Sequence, residues 1–126
     1  MWSLQWKDNE RHEVLSVEEL NRMLDKVAAD HDEKNPVLVQ VRSPIGEILM
    51  IGIGGELSVL DHIAAAGWPA RHSVGDPTEE TIAYRMGSYD SEMPKAYAIP
   101  YEIARKAVEH FYRTGHVLGD VTWEND

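Results

Sequence analysis

Six histidines and a run of acids are the residues of this chain that could do chemistry. His12, His31, His62, His72, His110 and His116 show no H-x-x-x-H or H-E-x-x-H spacing, and there is no cysteine to complete a metal set. Paired histidines one helical turn apart are what grip zinc, so this spacing argues against a metal site. Asp61-His62 could act as an orienter and a base, but neighbours in a strand point to opposite faces. Gly52-Ile53-Gly54-Gly55 is glycine-rich, yet strand-like residues flank it on both sides, whereas a phosphate loop opens onto a helix. No serine stands in a G-x-S-x-G elbow. Asp76, Glu79, Glu80, Asp90 and Glu92 could supply paired carboxylates for acid–base work, with His72 beside them. A run of acids in loops is more often a solvated face. The expectation is a protein that is not an enzyme and needs no cofactor.

Binding is the stronger expectation, and charge gives it a direction. Twelve Lys and Arg stand against 22 Asp and Glu, a net of −10. Such a surface repels nucleic acid and anionic membrane, because phosphate binding needs clustered cations. It attracts a basic partner and speeds encounter with it. From Asp76 to Ile99, five acids (Asp76, Glu79, Glu80, Asp90, Glu92) face two bases (Arg85, Lys95) in a stretch that reads as loop-rich. Tyr84, Tyr89 and Tyr97 lie among them and Trp68 just upstream. Aromatic rings ringed by acids make hot spots for an arginine- and lysine-rich partner. The expected contact set is Trp68, Asp76, Glu79, Glu80, Tyr84, Tyr89, Asp90 and Glu92.

These residues need a scaffold. The 126 residues suit one domain, 1–126, large enough for a single core. No apolar run approaches the ~18 residues of a membrane helix, and the N-terminus has neither the basic start nor the apolar stretch of a secretory signal. The absence of cysteine excludes disulfides and is compatible with a reducing cytoplasm.

Trp2 to Trp6 alternates apolar and polar as a half-buried strand does, and a polar stretch then leads to Ser16. Ser16 with Glu19 fits a capping box, and Val17, Leu20, Met23, Leu24 and Val27 recur at helical spacing, so a first helix is expected from about Val17 to Ala29. Val37–Arg42, Glu47–Ile53 and Glu56–Ile63 read as an antiparallel meander, turned at Ser43–Gly46 and at Gly54-Gly55. His72–Val74 and Thr81–Met86 read as further strands, with a loop from Gly87 to Lys95. Pro100 opens a second helix that buries Ile103, Ala104, Ala107, Val108 and Phe111, Gly115 stops it, and Val121–Trp123 is a last strand. The expected fold is α+β: an antiparallel sheet of about five to six strands with two principal helices packed against it.

The C-terminal half also carries a resemblance. Val74-Gly75-Asp76-Pro77, Tyr84-Arg85-Met86-Gly87-Ser88, Ser91-Glu92-Met93-Pro94, Ile99-Pro100-Tyr101, Ala104, Ala107, Phe111, Thr114-Gly115 and Val121-Thr122-Trp123-Glu124 occur in that order. The series resembles the end of immunity proteins from bacterial polymorphic-toxin systems. The family meant is one whose members often sit beside nucleic-acid deaminase toxins, among them a double-stranded-DNA cytosine deaminase. The resemblance implies a cytoplasmic immunity protein that forms a one-to-one complex with a basic, nucleic-acid-modifying toxin domain and occludes its active site or substrate groove. The matching residues are a helix start, a core stripe, a helix stop and a strand, so they imply a scaffold and carry no contact site. Two other readings stand beside this one: a small enzyme using the loop carboxylates and His72, and a regulatory protein that binds basic segments.

Overall fold

The computed structural model describes residues 1–126. Trp2–Lys7 (β1) and Glu10–Val14 (β2) form a hairpin, and Val17–Asp30 (α1) follows. Val37–Arg42 (β3), Ile48–Ile53 (β4), Leu57–Ser58 (β5), Leu60–Ile63 (β6) and Ala70–Ser73 (β7) come next. Thr81–Met86 (β8), Tyr89–Pro94 (β9), Ile99–Pro100 (β10), Tyr101–Thr114 (α2) and Trp123–Asn125 (β11) complete the order. The α+β class expected from the sequence holds: two helices pack on a mainly antiparallel sheet. No helix is long and apolar enough to cross a membrane.

The sheet is wider than five or six strands. Its order is β11-β7-β6-β4-β3-β1-β2, with the β8–β9 hairpin attached to β3, nine strands in all. β3 divides one edge between two neighbours: β1 pairs with residues 40–42, and β8 joins in parallel at Val37↔Arg85. The strands that the sequence does not mark are β2 and β9, both at open edges and both rich in polar residues. The sequence reads the first as a connection and the second as a loop, because an edge strand lacks the apolar alternation that burial imposes on one face. The expected third strand is also split. Leu57–Ser58 turns away to pair with Ile99–Pro100, and only Leu60–Ile63 continues the meander beside β4.

Both helices start and stop where their end residues direct. The Ser16 hydroxyl accepts from the Glu19 N–H at 3.1 Å, so the forward half of the expected capping box is present. Gly115 ends α2, its N–H donating to Phe111 O at 2.7 Å. Leu20, Leu24 and Val27 of α1 join Ala104, Ala107, Val108 and Phe111 of α2 over Leu4, Val39, Val41, Leu49, Ile51 and Leu60. Ile103, expected in that stripe, is exposed instead. Arg105 clasps the two helices, donating to Asp25 Oδ1 at 2.9 Å, Tyr101 Oη at 2.8 Å and Asn21 Oδ1 at 3.0 Å.

The opposite face of the sheet has its own small core. Leu38, Val59, Tyr84 and Ala98 are buried there, with Ile82, Met86, Met93 and Tyr97 around them. Alternation along β3 sends Val37, Val39 and Val41 to the helices and Leu38 to this second face. Gly52 of β4 lies directly opposite Leu38, and the Tyr84 ring occupies the space that a Cβ on Gly52 would need. This contact seats the β8–β9 hairpin.

Candidate functional site

The hairpin separates its residues by face. β8 and β9 pair from Thr81↔Pro94 to Met86↔Tyr89 across the two-residue turn Gly87-Ser88. Gly87 has φ +64°, as the first central position of a type II′ turn requires. Residues opposite one another share a face, so Ile82, Tyr84, Met86, Ser91 and Met93 turn inward, and Tyr89, opposite Met86, lies on that same side at the tip. Thr81, Ala83, Arg85, Asp90, Glu92 and Pro94 form the other face, and all six are exposed. On it Arg85 Nη1 stands 3.3 Å from Asp90 Oδ1, and Thr81 Oγ1 donates to Glu92 Oε1 at 3.1 Å. At its base, Lys95 Nζ lies 3.3 Å from Glu80 Oε2. These pairs are solvated and hold the acids in place weakly.

The expected contact residues are therefore not one surface. Asp90 and Glu92 share the outer face of the hairpin, and Tyr89 stands 57% exposed at its tip. Asp76, Glu79 and Glu80 are exposed on the segment that leads to the hairpin base. Tyr84 is a correction: it is 1% exposed, and burial pushes its phenol up to about 12 against a smaller opposing hydrogen bond at the Val59 backbone. Its ring is an anchor and is not offered to a partner. Trp68 stands apart from the other expected contacts. It is 65% exposed but sits in the β6–β7 turn, at the end of the sheet where Ile48 pairs with Ile63. The hairpin joins at Val37, which pairs with Ile53 at the other end of β4, about 17 Å away along a six-residue strand.

Beside the hairpin base is a cleft of about 480 Å³, lined among others by Glu33, Pro36, Leu57, Glu80, Ile82 and Lys95. Glu33 and Leu57 are invisible to a sequence reading of the site because they arrive from the α1–β3 connection and from β5. The hairpin itself was within reach: Gly-Ser between two strand-like runs is a two-residue turn signal, and it converts the supposed loop into β9.

Two of the six histidines, His62 and His72, are closed into the fold. His62 Nε2 lies 3.1 Å from Glu47 Oε2, with the ring edge-on to Phe111. His72 is 4% exposed; Nδ1 lies 2.6 Å from Asp126 Oδ1, Nε2 lies 3.6 Å from Glu124 Oε1, and the Tyr97 ring stacks on it at 3.5 Å. The loop carboxylates expected to serve an enzyme do not meet it. Its neighbours are Asp61 and Glu124, which are its register partners on β6 and β11, and Asp126. The stacked tyrosine covers the ring face where a substrate would sit, and neither the cleft nor the smaller cavity at the hairpin tip borders it.

Asp61 is the strained member of this group. Burial first, then a hydrogen bond to Asp126 and its negative charge, raise its carboxyl from 3.8 to about 7. Between those two values the folded chain keeps a proton that the unfolded chain has lost. The site therefore favours folding most at low pH, and that advantage declines as pH rises toward about 7. Asp61→Asn should match the wild type near pH 4 and exceed its stability above pH 7. We expect a gain of about 1–2 kcal/mol after discounting for the solvent that reaches this half-buried group. Urea unfolding of both proteins at pH 4 and pH 8 checks this, and a difference independent of pH would reject it.

Comparison with known proteins places the chain in a class. Residues 8–125, nearly the whole sequence, match a family model of immunity proteins. The family is Imm1, described as "Immunity protein Imm1", and the chain belongs to it. No match is found among functionally curated proteins. An immunity protein acts by neutralising a cognate toxin and not by catalysis, which agrees with the resemblance seen in the C-terminal series at the level of the immunity role.

Proposed function

We propose that this immunity protein neutralises a nucleic-acid deaminase toxin by occluding its active site or substrate groove. The deaminase assignment rests on the ordered C-terminal residues from Val74 to Glu124, which resemble those of immunity proteins found beside such toxins. The contact surface is the hairpin and its approach: Asp76, Glu79, Glu80, Tyr89, Asp90 and Glu92. The observation that carries this placement is that Asp90 and Glu92 share one exposed face of β9. An acidic strip of that kind imitates phosphate charge to a toxin whose groove is built for nucleic acid. The complex is one-to-one, forms in the cytoplasm and involves neither nucleic acid nor membrane on the immunity protein's side. An interface of roughly 800 Å² per partner is the size a tight, specific pair needs.

Co-expression tests the proposal. Cells expressing the toxin domain encoded beside this chain's gene should accumulate deaminated bases and die, and this protein should prevent both. Survival without the immunity protein's help, or death despite it, would sink the immunity pairing. Rescue from a toxin that leaves bases unaltered would remove the deaminase assignment alone.

A further inference from the structure

We infer that the open edge of β9 receives a β-strand from the toxin, one whose side chains beside Asp90 and Glu92 are lysine or arginine. The inference rests on the toxin-binding reading above and gives that surface a specific mode of contact. β9 pairs with β8 alone, so its outer edge has no partner within the chain. The turn decides which backbone groups face outward. Met86 and Tyr89 close a two-residue turn and form a hydrogen-bonded pair; alternation makes Tyr84/Ser91 and Ile82/Met93 the next such pairs. Asp90 and Glu92 fall between them and turn their N–H and C=O groups away from β8. Arg85, opposite Asp90, follows the same rule on the other edge: its N–H donates away from the hairpin, to Pro36 O at 2.8 Å.

The other edges are less suited to strand addition. β2 mixes signs across Glu10, Arg11, His12 and Glu13, and its partner β1 carries a register irregularity between Gln5 and Lys7. β11 has three residues. β9 has six, with two acids and no base. Exposed acids on an edge also choose the occupant. A second copy of this chain paired edge to edge would bring Asp90 and Glu92 against their own counterparts, and like charges opposite one another oppose pairing. A basic strand meets no such penalty. Main-chain pairing supplies affinity, and the two carboxylates select for sign.

Amide exchange on the labelled full chain, free and bound to the catalytically silenced toxin domain of the rescue assay, tests this. The Asp90 and Glu92 amides should exchange freely in the unbound protein and slow by about tenfold or more in the complex. Ser91 and Met93, already paired to β8, should change less. Glu92→Pro removes an outward donor and leaves the β8 ladder in place, so it should weaken binding about tenfold more than Glu92→Gln does. If Glu92→Pro does not fold, the exchange result on the natural chain decides. A complex that forms with both amides still exchanging freely overturns strand addition and leaves the immunity reading standing. A chain that binds no toxin at all overturns both.

Discussion

Gly52→Ala is expected to expel the Tyr84 ring and lower stability by about 1–3 kcal/mol, the usual cost of overpacking a filled core. A Cβ at residue 52 would overlap Cζ, Cε1 and Oη, the hydroxyl end of that ring, so the whole ring must shift to admit it. The ring is buried with Leu38, Val59 and Ala98, so any shift disturbs that small core. Beside the packing of Ile82, Met86 and Met93, the backbone ties the hairpin to the sheet only through the parallel pair at Val37↔Arg85 and the Arg85 N–H on Pro36 O. The loss should therefore appear first in β8 and β9, with faster amide exchange at Tyr84, Ser91 and Met93, while the helical signal of α1 and α2 persists to higher temperature. Toxin affinity should fall with it, because the acidic face travels with the hairpin. The double variant Gly52→Ala/Tyr84→Leu should recover part of the stability by freeing the space. An unchanged melting temperature in Gly52→Ala alone would show that Tyr84 does not anchor the hairpin.

The double reversal Asp90→Lys/Glu92→Lys should have the largest effect on binding, about a hundredfold or more, with folding intact. Both side chains are solvated, and the ion pair that Asp90 makes with Arg85 is too exposed to matter to stability. Against a basic partner each reversal replaces attraction with repulsion, and the deficit should shrink as salt is added. Glu18→Lys/Glu102→Lys, on the helices that pack on the other face of the sheet, produces the same change in net charge and serves as the control. It should slow association slightly and leave the dissociation rate unchanged. Equal Kd for the natural chain and the Asp90/Glu92 variant, measured by calorimetric titration, would reject this placement of the contact surface.

How much of this was legible before folding depends on whether a feature is local. The two helices were, because the Ser16 cap, the stop at Gly115 and stripes at three- and four-residue spacing are written within one segment. The meander of β3, β4 and β6 was too, since buried strands need apolar residues whatever their neighbours are. β2 and β9 were not recognised from composition. Their polar residues are compatible with loops, and only the two-residue turns Asp8-Asn9 and Gly87-Ser88 distinguish a returning strand from a connection. Tyr84 and Glu92 looked equivalent in sequence, an aromatic and an acid in the same acidic stretch. Pairing in β8 and β9 placed them on opposite faces, one in the core and one in water.

By itself the sequence determined the class of the protein: an acidic α+β chain with no assembled catalytic motif, carrying an ordered series of residues that belongs to immunity proteins. Those are properties of composition and of short-range spacing, and no packing is needed to read them. The tertiary structure decided which residues stand together. Strand register is set by pairing between segments far apart in the chain, and a shift of one residue exchanges every inward side chain for an outward one. That is why the structure buries Tyr84 over Gly52, removes Trp68 to the far end of the sheet, gathers Asp61, Glu124 and Asp126 around His72, and leaves Asp90 and Glu92 on an open edge.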